Sequence, residues 1–510
     1  LLVVLSGCTA YGAVRAELPS AAQGEQIYRT GVLPSGAPLH GRREQGGDAV
    51  GAVGACVNCH RRSGLGSAEG TTAIPPITPK FLFAREAYDD VTLAAAIRSG
   101  AGRGGHELGY VMPRYALDDG GMASLIAYLK TLPTTSSPGV SDTTLDFATI
   151  VTPDADPVAR DSMIAVLNQF VEDKNSFIRG GSKPLRSQGG RIDYRITHRW
   201  QLHVWTLSGP PAGWEGQLRR HLEAEPVFAV LSGIGGSEWA PVHRFCEAQR
   251  LPCLFPNVAV PVDAESDVYS IYLSKGVLLE SELIATRLAD LATPHRLLQI
   301  YTPGNSGERA AARLRALAPA SIESVMRPVT QGDAEAIAKA VGEARADDVV
   351  VLWLSPGDLA LMGPPPRATA VYLSGTLAGF EHATLPPPWR SVAQLTYPVD
   401  LPEARAIRMN YPLRWFQIRH IPVVAEKVQA DTYLACGIVS EALNDMLDNF
   451  MRDYLIERIE SMVSHRQLSA FYPHLGLAPG QRFASKGGYL VHFTEPGGSA
   501  ISPTTEWIVP

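Results

Sequence analysis

The 510-residue chain has no uninterrupted apolar run of the roughly 18 residues that a bilayer-crossing helix requires, which excludes an integral helical membrane protein. It has no excess of basic charge either. Lys plus Arg is 45 and Asp plus Glu is 51, a net charge of −6, too small and of the wrong sign for a general nucleic-acid binder. Cysteine is scarce: six residues cannot form a disulfide scaffold in a chain of this length. Apolar residues are plentiful at 45%, enough for two or three packed domains of roughly 100 to 200 residues each.

Because cysteines are few, their positions carry information. Cys8 stands alone, Cys56 and Cys59 form a pair, and Cys246, Cys253 and Cys436 follow far downstream. The pair lies in Cys56-Val57-Asn58-Cys59-His60, a C-x-x-C-H run. Two thiols at that spacing add to the two vinyl groups of a haem, and the adjacent His60 becomes an iron ligand. One covalently bound haem c is therefore expected.

The first residues, apolar from Leu1 to Leu5 and then small, fit a signal peptide or its remnant over 1–16. Leu5-Ser6-Gly7-Cys8 resembles the lipobox of bacterial lipoproteins, which implies acylation of Cys8. A rival cut follows Val14-Arg15-Ala16. Either way the expectation is an exported, periplasmic protein; the lipobox reading would add a lipid anchor at Cys8, and the rival cut would remove that residue.

Residues 17–132 are expected to form a small all-α domain. Gly24, Ile27 and Tyr28 suit a first helix, and Met122, Leu125, Ile126 and Leu129 follow the i, i+3, i+4, i+7 spacing of a last one, with Asp118 or Asp119 as its cap. With the C-x-x-C-H run between these helices, the stretch resembles class I cytochrome c. The resemblance implies a close crossing of the two helices, with Gly24 facing Tyr28 and Tyr128. It also implies a proline, Pro75 or Pro76, whose carbonyl orients the proximal His. Four residues are candidates for the sixth iron ligand: Met112, Met122, His106 and His40. Met112 lies where the family supplies its Met, in Tyr110-Val111-Met112-Pro113, and thioether ligation suits an electron carrier.

The chain departs from that family in a long Gly- and Pro-rich insert over 31–55, whose role the sequence leaves open. Basic and acidic residues are equal in number over 17–140, but Arg61 and Arg62 follow His60 while Arg103 and Arg114 flank Met112. An acidic redox partner and an ordinary solvated surface both fit this pattern.

Residues 133–144, rich in Pro, Ser, Thr and Gly, have the composition of a tether. Beyond them, β-rich apolar runs recur with helical patterns between: 147–151, 202–207, 228–234, 252–255, 297–301, 349–354 and 370–373. That alternation predicts parallel sheets buried on both faces, and the length of 145–510 predicts two lobes. The region resembles the type I periplasmic solute-binding proteins of the branched-chain amino acid class, through the strand-and-loop unit 228–237, the helix with Asp431-Thr432-Tyr433, and Ser485-Lys486-Gly487-Gly488-Tyr489 before a closing strand. The fold class these resemblances imply is a small all-α cytochrome c domain followed by a two-lobed α/β domain of the type I periplasmic-binding-protein kind.

In that fold a ligand lies between lobes at the carboxyl ends of strands. Ser237, ahead of a helix, is a candidate to hold an anionic group with free backbone N–H donors, or simply to cap that helix. Asp154, Asn257, Ser355 and Ser374 each follow a strand and are further candidates. Cys246 and Cys253, with six residues between them, are expected to form a disulfide, and Cys436 to be apolar filling.

No Ser/His/Asp set, paired carboxylates in context or zinc-ligand spacing supports hydrolytic chemistry. The expectation is a non-enzymatic electron carrier whose solute-binding domain docks a redox partner such as a dehydrogenase or captures a small polar or anionic organic ligand. A transport or sensing receptor with a redox haem domain is the alternative.

Overall fold

A computed structural model describes residues 20–70, 72–84, 88–179, 198–264, 267–290, 296–465 and 470–510. Segment 1–16, with Cys8, lies outside the described residues. The chain divides into two compact units between Ser136 and Ser137. Among the described residues no helix is long and apolar enough to cross a membrane.

The first unit runs α1 (Ala21–Thr30), β1 (His40–Arg42), β2 (Ala49–Val50), α2 (Val57–His60), β3 (Ser67–Glu69), β4 (Thr72–Ile74), α3 (Pro79–Leu82), α4 (Asp90–Ser99), β5 (Arg114–Tyr115) and α5 (Asp119–Leu129). Asp118 is the cap of α5, its carboxylate accepting the Gly121 N–H at 2.7 Å. Met122, Leu125, Ile126 and Leu129 are buried on that helix, each contributing about 1.5–3 kcal/mol by leaving water. Helices α1 and α5 meet at Gly24, where a Cβ would fall 2.0 Å from the Ser124 carbonyl oxygen. That closeness brings the Tyr28 and Tyr128 rings to 5.2 Å.

The insert, unread in the sequence, is structured. Its strands β2 and β1 form a three-stranded antiparallel sheet with β5, in the order β2-β1-β5. Gly41 pairs with Tyr115 and Arg42 with Arg114. The insert is therefore bonded to the chain immediately after Met112-Pro113.

The second unit starts before the expected boundary. The Ser137 N–H donates to the Phe450 carbonyl and the Asp146 N–H to that of Gly139, so 137–144, read from composition as tether, are bonded into this unit. Its chain then builds β6 (Thr144–Val151), α6 (Pro157–Arg179), β7 (Arg199–Thr206), α7 (Trp214–Ala224), β8 (Ala229–Leu231), α8 (Ala240–Ala248), β9 (Cys253–Leu254) and β10 (Ser270–Ser274). A second series follows: α9 (Val277–Asp290), β11 (Arg296–Tyr301), α10 (Ser306–Leu317), β12 (Glu323–Pro328), α11 (Ala334–Gly342), β13 (Asp348–Trp353), α12 (Pro356–Ala360), β14 (Ala370–Ser374), α13 (Gly375–Ala378), α14 (Pro387–Arg390) and β15 (Ala393–Tyr397). Helices α15 (Pro402–Ile418), α16 (Glu426–Met446) and α17 (Arg452–Met462) lead to β16 (Phe483–Ser485), β17 (Tyr489–Phe493) and β18 (Ile501–Pro503).

Two sheets result, one per lobe. The first is wholly parallel in the order β16-β10-β9-β8-β6-β7. The second has the order β12-β11-β13-β14-β15-β17-β18, parallel as far as β15 and closed by the antiparallel strands β17 and β18. Both lobes are interrupted in sequence, because the chain leaves the first after β10 and returns to it for β16. Strands β6 and β13 are nearly or wholly buried, as two-faced helix cover demands.

Candidate functional site

In the first unit, one turn of helix organises the C-x-x-C-H run. The N–H groups of Cys59 and His60 both donate to the Cys56 carbonyl, at 3.2 and 2.9 Å. Cys56, Cys59 and His60 all line one cavity of about 310 Å³. Its wall is otherwise largely apolar, with Leu93, Ile97, Leu125 and Leu129 from the helices. Val53 and Phe81 are also on the wall and are exposed, so the cavity reaches the surface.

His60 Nδ1 lies 3.1 Å from the Pro75 carbonyl oxygen. That contact puts the proton on Nδ1 and leaves the Nε2 lone pair for a metal. Burial pulls the imidazole below its ordinary pKa, opposed by the Pro75 bond, so the ring is neutral at pH 7. Of the two prolines, Pro75 orients the ring; Pro76 lines the cavity. Burial pushes the Cys56 thiol up to about 12, so it is held protonated. Arg61, directly after His60, has φ +64°, and its carbonyl accepts the Tyr28 hydroxyl at 2.6 Å. The packed helix pair therefore holds the end of the haem motif in a backbone conformation that a non-glycine residue seldom adopts.

The four candidates for the sixth ligand separate cleanly. Met112 is on the cavity wall. Met122 is buried in the α1–α5 core, and His40 and His106 are exposed; none of these three lines the cavity. Sequence reasoning passed over Arg43, from the insert. It lies on the same wall, and its buried Nε has no hydrogen-bond partner. A haem fits this donor set: two thiols and an imidazole at the attachment turn, a thioether elsewhere on the wall, and an unpaired guanidinium nitrogen suited to an acidic substituent of the ring.

In the second unit the five strand-end candidates are all engaged within the protein. The Asp154 carboxylate accepts the backbone N–H of Gly236 at 3.2 Å and of Ser237 at 3.1 Å, as well as the Thr152 hydroxyl. Ser237 does not cap the helix that follows, because α8 starts three residues later with Trp239 as its N-cap residue. The expected anion position is thus filled by the chain's own carboxylate. The Asn257 amide donates to Ser232 Oγ at 2.9 Å and to Thr432 Oγ1 at 3.3 Å, tying two strand ends to α16. Ser355 and Ser374 are the N-cap residues of α12 and α13. The Ser355 hydroxyl donates to Asp358, and that of Ser374 to Glu280. Asp154 and Ser237 are brought together; Ser355 remains with its own helix, and Ser374 caps α13 while bonding Glu280 of α9.

Two further expectations concern cysteine. The Cys246–Cys253 disulfide is not formed: both are buried free thiols. A hydrogen bond donated by the Cys246 thiol to Cys253, and then burial, raises the Cys246 thiol well above its usual range. The end of α8 and the start of β9 thus seat the pair in an apolar cluster as thiols. Cys436 is a buried filler on α16, its thiol raised by burial.

One cluster with metal-ligating chemistry, His243, Glu247 and Asp267, stands outside these sites. Its groups are already used. His243 bonds Tyr272 at 2.7 Å and Asp267 at 2.6 Å, and Glu247 accepts the N–H groups of Val268, Tyr269 and Ser270.

Comparison with known proteins agrees with this geometry. Residues 46–133 match the family model for Cytochrome c. No curated protein sequence matches the chain. Among solved structures, the second unit is similar to a fatty acid ABC transporter substrate-binding protein from Thermomonospora curvata, with 14% identity, a TM-score of 0.50, and coverage of 74% of this chain and 95% of that one. It is also similar to a branched-chain amino acid transporter substrate binding protein from Streptococcus pneumoniae in complex with isoleucine, with 8% identity, a TM-score of 0.51, and coverage of 71% and 100%. At such identities the likeness establishes the fold. The chain joins a cytochrome c domain to a larger domain with the two-lobed fold of type I periplasmic binding proteins.

Proposed function

We propose that the protein is an exported electron carrier, with one haem c bound through Cys56 and Cys59 and ligated by His60 and Met112, and that its larger domain docks a periplasmic redox partner such as a dehydrogenase. The observation that supports this most is the single cavity with all four of those residues on its wall. The group would supply one-electron chemistry. Cys56 and Cys59 would attach it, the neutral His60 Nε2 and the Met112 thioether would be offered as its ligands, and the apolar wall would limit water around it. With His60 and Met112 both bound, the iron would offer no position to oxygen or substrate, which favours a carrier over a catalyst. Exposed Val53 and Phe81 mark the rim through which a partner would exchange an electron.

Docking is preferred over capture of an amino acid, because the Asp154 carboxylate covers the donors that a ligand carboxylate would use. A second reading, a transport or sensing receptor for a small polar or anionic ligand, draws on the fold shared with ABC transporter substrate-binding proteins. The purified holoprotein separates the two. Electron transfer requires a reversible one-electron titration and a reduced form that does not take up carbon monoxide rapidly. A receptor requires a small molecule that raises the melting temperature, by about 2.7 kcal/mol of added stability at 100 times its Kd. Rapid carbon monoxide binding would count against ligation by Met112 and for an open iron.

A further inference from the structure

The segment that carries Met112 has no helix or long strand of its own, yet it is held from three directions. Arg114 reaches back across it, with Nη1 donating to the Met112 carbonyl at 2.6 Å and Nη2 to the Leu108 carbonyl at 2.8 Å. The same Nη2 meets Glu44 of the insert at 3.0 Å. Arg114 is largely buried and Glu44 half exposed. Space for the guanidinium exists because α4 ends in Gly100, where a Cβ would stand 2.1 Å from Arg114 Nε. The Gly100 carbonyl in turn accepts the Leu108 N–H at 2.8 Å. On the other side of the methionine, Gly41 of the insert pairs with Tyr115. A side chain at Gly41 would collide with the Tyr115 ring at 2.8 Å and with Pro113 at 2.9 Å. Insert and loop are therefore built to each other.

A planar guanidinium that donates to two carbonyls of one loop fixes that loop more firmly than a point charge could, because the fork sets direction as well as distance. The carbonyl of Met112 belongs to the residue whose thioether would bind iron. Holding it fixes the backbone from which that side chain projects.

We propose that Arg114, steadied by Glu44 of the 31–55 insert, is a positioning residue that keeps the Met112 thioether at the iron and so resists its displacement. This rests on the ligation by Met112 proposed above. The insert then has a function: it is the outer half of a clamp on the sixth-ligand loop.

The test uses the full-length ferric holoprotein and imidazole as the competing ligand, following the weak Met-to-iron absorption band toward the red. Arg114→Gln should let imidazole displace the thioether at roughly 10- to 100-fold lower concentration, the loss expected for a charged group's hydrogen bonds to the loop. Glu44→Ala acts through a half-exposed ion pair and should change the midpoint by about fivefold or less. Adding it to Arg114→Gln should change nothing more. Arg98→Gln, which removes bonds to Leu117 and Asp119 away from the methionine, should leave the midpoint unchanged. If Arg114→Gln loses haem altogether, Arg114→Lys, which keeps the charge without the fork, should give an intermediate midpoint. An unchanged midpoint in Arg114→Gln or Arg114→Lys overturns the clamp, as does an equal shift in Arg98→Gln. A wild-type protein without the band overturns the Met112 ligation itself, an outcome distinct from loss of the clamp.

Discussion

The backbone N–H of Ser237 donates to the carboxylate of Asp154 at 3.1 Å, across 83 residues of sequence. Gly236 donates to the same carboxylate at 3.2 Å. The larger domain thus carries, as part of its own chain, the kind of group that paired N–H donors at a strand end would take from a ligand.

A consequence is that Asp154→Ala both loosens this corner and opens it. Loss of the bonds from Thr152, Gly236 and Ser237 should cost about 1–3 kcal/mol. The freed donors should then accept an external carboxylate. Thermal-shift measurements with acetate or a branched-chain amino acid should give a larger rise in the variant than in the wild type. A wild-type protein that binds such a molecule as tightly as the variant would show that Asp154 does not occupy a ligand position.

Gly24→Ala tests the helix crossing of the first unit. The added methyl would sit 2.0 Å from a backbone oxygen and 2.7 Å from Tyr128 Cβ, and neither can move without parting α1 from α5. Overpacking of this kind costs about 3 kcal/mol or more, which should lower the melting temperature of the first unit by roughly 10–20 °C. Haem absorbance reports this unit. All eight tryptophans lie after residue 137, so the second unit's tryptophan transition should stay in place. A shift of both transitions together would show that the effect is not confined to the α1–α5 contact.

Met112→Ala addresses the ligation directly. Removal of the thioether should abolish the Met-to-iron band, lower the reduction potential and open the iron to carbon monoxide. His40→Ala and His106→Ala, at exposed positions off the cavity wall, should change none of these. A spectrum unaltered by Met112→Ala would assign the ligand elsewhere.

The proposed haem site is legible in the sequence because its chemistry is local: Cys56, Cys59 and His60 fall within five consecutive residues, and Met112 is marked by the proline beside it. The clamp is not legible in the same way, since Gly41 and Tyr115 pair across 74 residues and neither forms a motif alone. Strands with long apolar runs, such as Asp348–Trp353, announce themselves. Glu323–Pro328 does not, because it is a half-exposed edge strand with charged residues at Glu323 and Arg327. Small polar residues after strands read equally as caps and as ligand contacts. Ser355 and Ser374 are seen as caps only once α12 and α13 are placed, and Ser237 is seen not to cap α8, because that helix begins beyond it.

Glu280 is a buried acid whose titration should show in the stability of the second unit. It lies on α9 with no exposed surface, accepts the Thr376 N–H at 2.8 Å and is bonded by the Ser374 hydroxyl. Burial raises its pKa from 4.5 to about 7, against the opposing effect of these bonds. In the unfolded chain the group keeps its ordinary value. Between about pH 4.5 and 7 the folded protein therefore holds a proton that the unfolded chain has released, and stability falls as pH rises through that window. Above pH 7 both states are ionised and this contribution is flat at its least favourable. Over the whole window it amounts to about 3 kcal/mol. Glu280→Gln keeps an acceptor for Thr376 and a partner for Ser374 but cannot ionise, so its stability relative to wild type should grow by about that amount between pH 4.5 and pH 8. Denaturant unfolding followed by tryptophan fluorescence reads this in the second unit. A difference between variant and wild type that stays constant across the window would mean that Glu280 does not titrate there.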